Sequence, residues 1–477
     1  MRRHLITAAV AFVLGLSAAH AKDAAPDEAT RKLAFDIFRQ LIEINTTDSV
    51  GNVSTAAHAM EKRLLDAGFP AQDLHVAGPN ARKENLVVRY HGKGKAKPVL
   101  LICHLDVVEA RREDWTTDPF EFVEKDGFVY GRGTQDVKVG DAILVATLIR
   151  FRREGFVPDR DLIVALTADE EGGAYNGVDW LLKNHRDWVD ADYVLNPDSG
   201  GVDSVNGKVV SVQLGASEKL YADYLVVATN PGGHSSLPRT DNAIYELADA
   251  LEKLRASPFP FELNPVTREF FARDAKVEPK DVAADMQALL GPTLDEAAAQ
   301  RLAKDPHLNS VLRTTCVPTR LDAGHANNAL PQRAQANVNC RIFPGHSKEE
   351  IRRELARKIA DPGLTVMFVA PDGSRHDTAP EEKSPAPPPI RPEVLRALDE
   401  VSAKMWPGVP VIPEMEPGAS DNIYTIAAGI PSYGISGVAI DRDDVRAHGR
   451  DERLRVSAFY AGLDFYGRIL RALYSGR

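Results

Sequence analysis

Cysteine is scarce in this chain of 477 residues, which contains only Cys103, Cys316 and Cys340. An odd set of three is too small for a disulfide framework, and no pair has the close spacing of a thiolate zinc site. The sequence favours three buried free thiols. A Cys316–Cys340 bridge is the alternative, and it requires an oxidising compartment.

Net positive charge and long apolar runs are also lacking. The formal net charge is −10, and it becomes −12 without residues 1–21, which contain two arginines and no acid. A chain with this much negative charge is a poor candidate for binding nucleic acid or an anionic membrane. After residue 21, no run is long and apolar enough to span a bilayer.

The first residues have the pattern of a secretory signal. Arg2 and Arg3 form a basic region, Ile6–Leu16 is apolar, and Ala19–Ala21 resembles a cleavage site of small residues. We predict a signal peptide over 1–21, cleavage near Ala21–Lys22 and a secreted or periplasmic protein. The paired arginines leave both the general and the twin-arginine export route open.

The remaining chain alternates short apolar runs with helical periodicity, which predicts an α/β fold with a mixed sheet. The pattern changes near residue 216 to that of a smaller α+β unit. A proline-rich linker, Pro385–Pro389, precedes further α/β pattern, including a strand near Val409–Pro413. We predict a catalytic domain over 22–215 and 376–477, interrupted by an inserted domain over 216–375.

Three apolar runs lead directly into side chains that bind metals. His104 and Asp106 follow the first run, Glu170 and Glu171 the second, and Asp198 the third. Ligands of open α/β sheets collect beyond the carboxyl ends of the strands. The sequence therefore predicts a metal centre at one sheet edge.

Each motif alone has a simpler explanation. His104 and Asp198 fit polar strand-end turns, and the Asp169–Glu171 triplet fits an exposed acidic turn. Asp136 fits a glycine-rich turn before a helix, although its two oxygens could bridge two cations about 3.5–4 Å apart. His448 alone fits a surface histidine.

In chain order, these motifs resemble the co-catalytic zinc hydrolases that include aminoacylase, succinyl-diaminopimelate desuccinylase, carnosine dipeptidase, glutamate carboxypeptidase and carboxypeptidase S. The matching segments are His-Leu-Asp-Val-Val, Gly-Arg-Gly-x-x-Asp-x-Lys, Asp-Glu-Glu-x-Gly, Asn-Pro-Asp, Gly-Gly-His-Ser-Ser and a late histidine. The resemblance covers nearly all of the mature chain. A long segment from about Pro258 to Arg313 is most similar to the carboxypeptidase S branch.

The resemblance implies two divalent ions, Zn²⁺ with Co²⁺ or Mn²⁺ as alternatives. It makes Asp136 the bridge, with Glu171 and His448 on one ion and His104 and Asp198 on the other. Two further roles follow from it: Glu170 is the general base and Asp106 supports His104. The peptide bond after Asp136 is often cis in such enzymes.

The inserted domain resembles the lid of these enzymes, which is often a dimerisation domain. The resemblance implies that His234 stabilises the oxyanion, that Asn328 and Arg341 hold a substrate carboxylate, and that the segment from Gly418 lines the substrate pocket. For Arg341, a salt bridge at a strand edge is the alternative. Because the long segment can cover the usual lid edge, both a homodimer and a monomer stay open.

We therefore predict a secreted dizinc hydrolase that cleaves amide bonds of short peptides, as a carboxypeptidase or dipeptidase, by metal-activated water. An N-acyl amino acid deacylase of the same family is the first alternative. The second is a non-catalytic protein that binds peptides or metal. The intact Glu170 and five candidate ligands favour an enzyme.

Overall fold

The computed structural model describes residues 25–418 and 420–475. The predicted signal peptide over 1–21 lies outside these residues. Within the described part of the chain, none of the helices combines the length and the apolar character that crossing a membrane requires.

The helices of the described chain are as follows: α1 Glu28–Ile42, α2 Val53–Asp66, α3 Lys138–Glu154, α4 Gly177–Asn184, α5 Arg186–Val189, α6 Ala243–Ala256, α7 Pro265–Asp274, α8 Lys280–Ala288, α9 Glu296–Leu302, α10 Pro306–Leu312, α11 Lys348–Ile359, α12 Pro392–Met405, α13 Asn422–Ala427 and α14 Val456–Tyr474.

The strands are as follows: β1 Leu74–Ala77, β2 Asn85–Tyr90, β3 Val99–His104, β4 Val123–Lys125, β5 Phe128–Tyr130, β6 Leu162–Thr167, β7 Tyr193–Asn196, β8 Gly201–Val205, β9 Lys208–Glu218, β10 Leu220–Thr229, β11 Gly233–His234, β12 Thr315–Ala323, β13 Ala329–Leu330, β14 Arg333–Ile342, β15 Leu364–Val369, β16 Arg375–His376, β17 Val411–Glu416, β18 Ser432–Gly434, β19 Ala439–Asp441 and β20 Arg453–Arg455.

The described chain divides into two units. The first comprises 25–212, 391–409 and 435–475, and the second comprises 213–390 and 410–434. The second unit contains the predicted insertion over 216–375, and it also includes 213–215, 376–390 and, with β17, 410–434. The strand expected near Val409–Pro413 lies there since Ile412 shares a buried core with Phe270 and Phe271 of α7.

The sheet of the first unit contains the order β1-β2-β6-β3-β7. Strands β6 and β7 both run parallel to β3, whereas β2 is antiparallel to β6. Every residue of β3 and β6 is buried, which is why their sequences are almost continuously apolar. The parallel register brings the carboxyl ends of β3, β6 and β7 to one edge. The predicted α/β fold with a mixed sheet is confirmed.

Helix α3 follows the glycine-rich segment of the first unit. The helix begins at Lys138, immediately after a cis peptide bond between Asp136 and Val137. Its first turn is buried, including the polar Lys138 and Asp141, so hydrophobic periodicity did not reveal it. The helix ends at Gly155, whose φ of 65° suits glycine.

The second unit contains a five-stranded antiparallel sheet in the order β12-β14-β10-β15-β16. Helices α6 and α11 contribute Leu247 and Leu355 to the core on this sheet. Helices α7–α10 surround a separate apolar core. The acidic stretch over 279–302 contains two helices, α8 and α9.

The expectation of three free thiols is wrong. Cys316 and Cys340 form a disulfide, and Cys103 is the free, buried cysteine of the described chain. The two bonded residues lie directly opposite each other on the antiparallel strands β12 and β14. Pairing across the sheet, which a separation of 24 residues does not reveal, brings the two sulfur atoms together.

Candidate metal centre

The centre begins at the edge where the parallel strands end. His104 is the last residue of β3, and it is buried. Its Nδ1 atom lies 3.0 Å from the backbone oxygen of Asp106, which orients the ring. Nε2 then faces two carboxylates, at 3.2 Å from Asp136 Oδ1 and 3.7 Å from Asp198 Oδ1.

Asp136 lies between two imidazole rings. Its Oδ1 atom faces His104, while Oδ2 is 3.0 Å from Nε2 of His448. The same nitrogen of His448 lies 2.9 Å from Oε1 of Glu171. The five predicted ligands therefore form two groups of three that share Asp136, one with His104 and Asp198 and the other with Glu171 and His448.

These residues can hold a divalent cation. His104 Nε2 is buried and makes no hydrogen bond with any described residue, although it faces acidic groups. One ligand atom each of His104, Asp136 and Glu171 lies within 4.8 Å of the others. Imidazole nitrogen and carboxylate oxygen are the ligands of catalytic zinc sites. A cation here would also relieve the repulsion between the carboxylates.

The pKa shifts of these groups indicate that the site favours positive charge. Hydrogen bonds to Asp136 and Glu171 raise the pKa of His448 to about 10. Burial opposes ionisation of Asp136, but its contacts with His104 and His448 lower the pKa of this carboxyl. A dication would take the place of these protons, since metal binding and protonation compete for the same ligand atoms.

The carboxylate of Asp106 holds the loop that follows β6. It accepts the backbone N–H of Glu170 at 3.1 Å and that of Glu171 at 3.0 Å. Its Oδ1 atom is 3.6 Å from Nδ1 of His104, so the carbonyl of Asp106 rather than its carboxylate makes the closer contact with that ring. Asp106 thereby links His104, a candidate ligand, to Glu170, the candidate base.

Lys83 is a residue near the centre that the sequence did not indicate. Its buried Nζ contacts Asp169, the residue before Glu170, and lies 2.7 Å from Asp48. Asp169 has a φ of 57°, a left-handed conformation that a non-glycine residue adopts only when its surroundings impose it. No spacing or motif linked Lys83 to the acidic triplet.

Buried polar residues lie beside the candidate ligands. Burial lowers the pKa of Lys138 to about 7 and raises that of Asp141 to about 8. The Lys138 amine donates to the backbone oxygen of Ile44 at 2.7 Å. Burial also raises the pKa of the Cys103 thiol, so this cysteine is a protonated core residue rather than a ligand.

The other predicted site residues belong to the second unit. His234 is exposed on β11, opposite Ala329, and its Nδ1 lies 2.8 Å from Oγ of Ser236. Asn328 is adjacent, because its carbonyl accepts the N–H of Ser235 at 3.1 Å. Arg341 stacks on Tyr221, and Gly418 follows β17.

Comparison with known proteins decides which family this centre belongs to. The model of Peptidase family M20/M25/M40 matches residues 100–472. The chain belongs to this family. The resemblance seen in the sequence is therefore confirmed, and the protein is a hydrolase that acts on amide bonds.

The individual relatives have low sequence identity to this chain, but each match covers most of both proteins. The chain is 27% identical to the N-fatty-acyl-amino acid synthase/hydrolase PM20D1 of Xenopus tropicalis, covering 78% of this chain and 72% of that protein. It is 26% identical to the probable carboxypeptidase S-like 2 of Dictyostelium discoideum, covering 81% and 74%.

A solved structure shows the same fold. The M20 family metallo-carboxypeptidase Sso-CP2 from Sulfolobus solfataricus superposes with a TM-score of 0.68 at 17% identity, over 94% of this chain and 99% of that chain. At this identity, the match supports the M20 fold and nothing finer.

Proposed function

We propose that the protein is a two-metal hydrolase that cleaves short peptides as a carboxypeptidase or dipeptidase. The arrangement of Asp136 carries the proposal, because each of its oxygens faces a different imidazole, from His104 and from His448. A carboxylate in this position would be able to hold two cations at once. Zn²⁺ is the ion that this ligand set suits best, with Co²⁺ and Mn²⁺ as alternatives.

Two bound dications would polarise the scissile carbonyl and lower the pKa of water from about 15.7 toward 7. Glu170 takes the proton of the attacking water and returns it to the leaving amine. Asp106 fixes the backbone of Glu170 and so sets where this base reaches. Predicted substrate contacts are His234, Asn328, Arg341 and Gly418, on the strength of the sequence resemblance.

Export from the cytoplasm is part of the proposal. The basic and apolar pattern of residues 1–21 supports a cleaved secretory signal. The Cys316–Cys340 disulfide supports it independently, because such bonds persist mainly in oxidising compartments. A homodimer stays a prediction of the resemblance.

Hydrolysis of N-acyl amino acids is the second candidate. The observation that favours it is the similarity to a protein named as an N-fatty-acyl-amino acid synthase/hydrolase. Both candidates cleave the same bond type and use the same centre, so they differ only in the acyl side of the substrate.

Metal analysis combined with a substrate panel tests the proposal. We expect two ions per chain and turnover of dipeptides above that of N-acetyl and N-fatty-acyl amino acids. Glu170→Ala should lower kcat by about 10²–10⁴-fold and keep both ions. Glu113→Ala, which changes an exposed glutamate, is the matched control. Full activity of Glu170→Ala would contradict the mechanism, and a preference for acylated amino acids would select the second candidate.

A further inference from the structure

Each of the segments that carry Asp136 and His448 places a buried side chain against the other segment. Glu452, four residues after His448, reaches into the segment before Asp136. Gln135, the residue before Asp136, reaches back into the segment around His448. Both side chains are buried, with exposed fractions of 0% for Glu452 and 8% for Gln135.

Glu452 accepts four hydrogen bonds from one short stretch of chain. Its Oε1 atom accepts the backbone N–H groups of Gln135 at 2.6 Å and Asp136 at 3.1 Å. Its Oε2 atom accepts the N–H of Gly133 at 3.1 Å and Nη1–H of Arg132 at 2.7 Å. The carboxylate thus fixes the backbone immediately beside the bridging ligand.

Gln135 makes the reciprocal set of contacts. Its Oε1 atom accepts the backbone N–H groups of Arg446 at 2.7 Å and Ala447 at 3.0 Å. Its Nε2 atom donates to the carbonyls of Asp444 at 3.0 Å and Arg453 at 2.8 Å. Both donors and both acceptor lone pairs of the amide are therefore in use.

These bonds hold the backbone of the two ligands from both sides. Ala447 precedes His448, which has a left-handed φ of 62°, and Arg132 donates a longer bond of 3.4 Å to the carbonyl of His448. His104 and Asp198 differ in this respect, because His104 is the last residue of β3 and Asp198 lies only two residues after β7. His448 lies further from any strand, seven residues after β19 and five before β20.

We propose that Gln135 and Glu452 are positioning residues that set the separation of Asp136 and His448 and so retain the ion bound by Asp136, Glu171 and His448. This inference rests on the proposed two-metal function. We call Gln135 and Glu452 the clasp, and we assign to them a selective effect on one of the two ions. The other ion shares Asp136, but its remaining ligands, His104 and Asp198, are held by the ends of β3 and β7, so we expect it to be affected much less.

Near-isosteric variants test the clasp. Glu452→Gln places an amide group against backbone N–H groups, and Gln135→Glu replaces two donors by an acceptor that faces the carbonyls of Asp444 and Arg453. Buried networks that are only partly satisfied are costly, so each change should loosen the two segments. The matched control is Asp451→Asn, because Asp451 accepts from the N–H and Oγ of Thr116 and not from the ligand segment.

Metal-free protein is titrated with Zn²⁺ in a calorimeter, and the metal content of the protein is measured after dialysis. Co²⁺ spectra report the geometry of each ion. In Glu452→Gln and in Gln135→Glu we expect one ion to bind within about 3-fold of the unmodified protein. The other should bind about 10- to 100-fold more weakly, as when outer contacts of metal ligands are removed. Asp451→Asn should bind both ions normally.

The outcomes are separable. If either folded clasp variant binds both ions as the unmodified protein does, the clasp is wrong while the proposed function stands. Equal weakening of both ions, or the same loss in Asp451→Asn, would show a general structural role and also overturn the clasp. If the unmodified protein binds no ion, the proposed function fails and the clasp with it. Should Glu452→Gln not fold, Gln135→Glu and Gln135→Met apply the same test.

Discussion

His448 Nε2 lies 2.9 Å from Oε1 of Glu171, although 277 positions separate the two residues in the chain. Glu171 comes from the loop after β6 and His448 from the loop before β20. Their meeting completes the second of the two groups that share Asp136. With this contact, each of the two proposed ions would have its own histidine and its own acid, so mutation should separate them.

Removing ligands one at a time should therefore remove ions selectively. We expect His448→Ala to retain one ion, Asp198→Ala to retain the other, and Asp136→Ala to lose both, because only Asp136 faces both imidazoles. Metal content after gel filtration provides the stoichiometry, and Co²⁺ spectra should differ between the two one-ion variants. Identical spectra, or two ions in Asp136→Ala, would contradict a shared carboxylate.

Asp106→Asn should impair catalysis more than binding of substrate. The asparagine retains one acceptor but presents an NH₂ group to one of the two N–H groups that the carboxylate now accepts, from Glu170 and Glu171. We expect kcat to fall by about 10- to 100-fold while KM changes little, because Glu170 is displaced from the attacking water. Steady-state kinetics at saturating metal measure this. An unchanged kcat would mean that the carboxylate does not hold the base.

Loss of the disulfide should destabilise the second unit. The Cys316–Cys340 bond closes a loop with a separation of 24 residues, for which chain entropy gives about 3.5 kcal/mol. We expect a Cys316→Ser and Cys340→Ser double variant to unfold at a lower temperature than the unmodified protein. Reductant should lower the unfolding temperature of the unmodified protein by a similar amount. It should not change the unfolding temperature of the double variant. Cys103→Ser serves as a control, because Cys103 is outside the disulfide.

Lys219 should make stability depend on pH. Burial lowers its pKa from 10.5 to about 7, and its amine donates to the carbonyl of Arg313 at 2.6 Å. Between pH 7 and 10 the unfolded chain holds a proton that the folded protein has released. Stability therefore rises as the pH increases through this range and is lost as it falls.

The Lys219→Met variant isolates this effect. Relative to the variant, the unmodified protein should gain up to about 4 kcal/mol in unfolding free energy from pH 7 to pH 10. Denaturant unfolding at several pH values measures the gain. Lys276→Met, at an exposed lysine of the same unit, should show no such trend. Parallel pH curves for the unmodified protein and Lys219→Met would contradict the prediction.

The strand ends could be predicted because burial leaves a direct trace in the sequence. The apolar runs before His104, Glu170 and Asp198 are buried strands, and their parallel register brings the three segments to one edge. The domain boundaries were harder to predict. Strand β17 has the composition of an α/β strand, and only its packing against Phe270 and Phe271 assigns it to the second unit.

Several contacts near the centre left no pattern in the sequence. Lys83, Gln135 and Glu452 are ordinary polar residues in the sequence, yet each is buried beside a ligand or the candidate base. Their partners are mostly backbone groups of distant loops. Hydrogen bonds to a backbone impose no residue type on the partner, so no motif records them.

The sequence by itself determined the family, the strands that end at the centre and the residue types that can bind metal. It could do so because periodicity and ordered motifs are local properties of the chain. Tertiary structure alone decided that Cys316 is bonded to Cys340, that Lys83 contacts Asp169, and that Glu452 reaches the segment before Asp136. Those relationships depend on sheet register and on loops that meet in space, which local sequence does not encode.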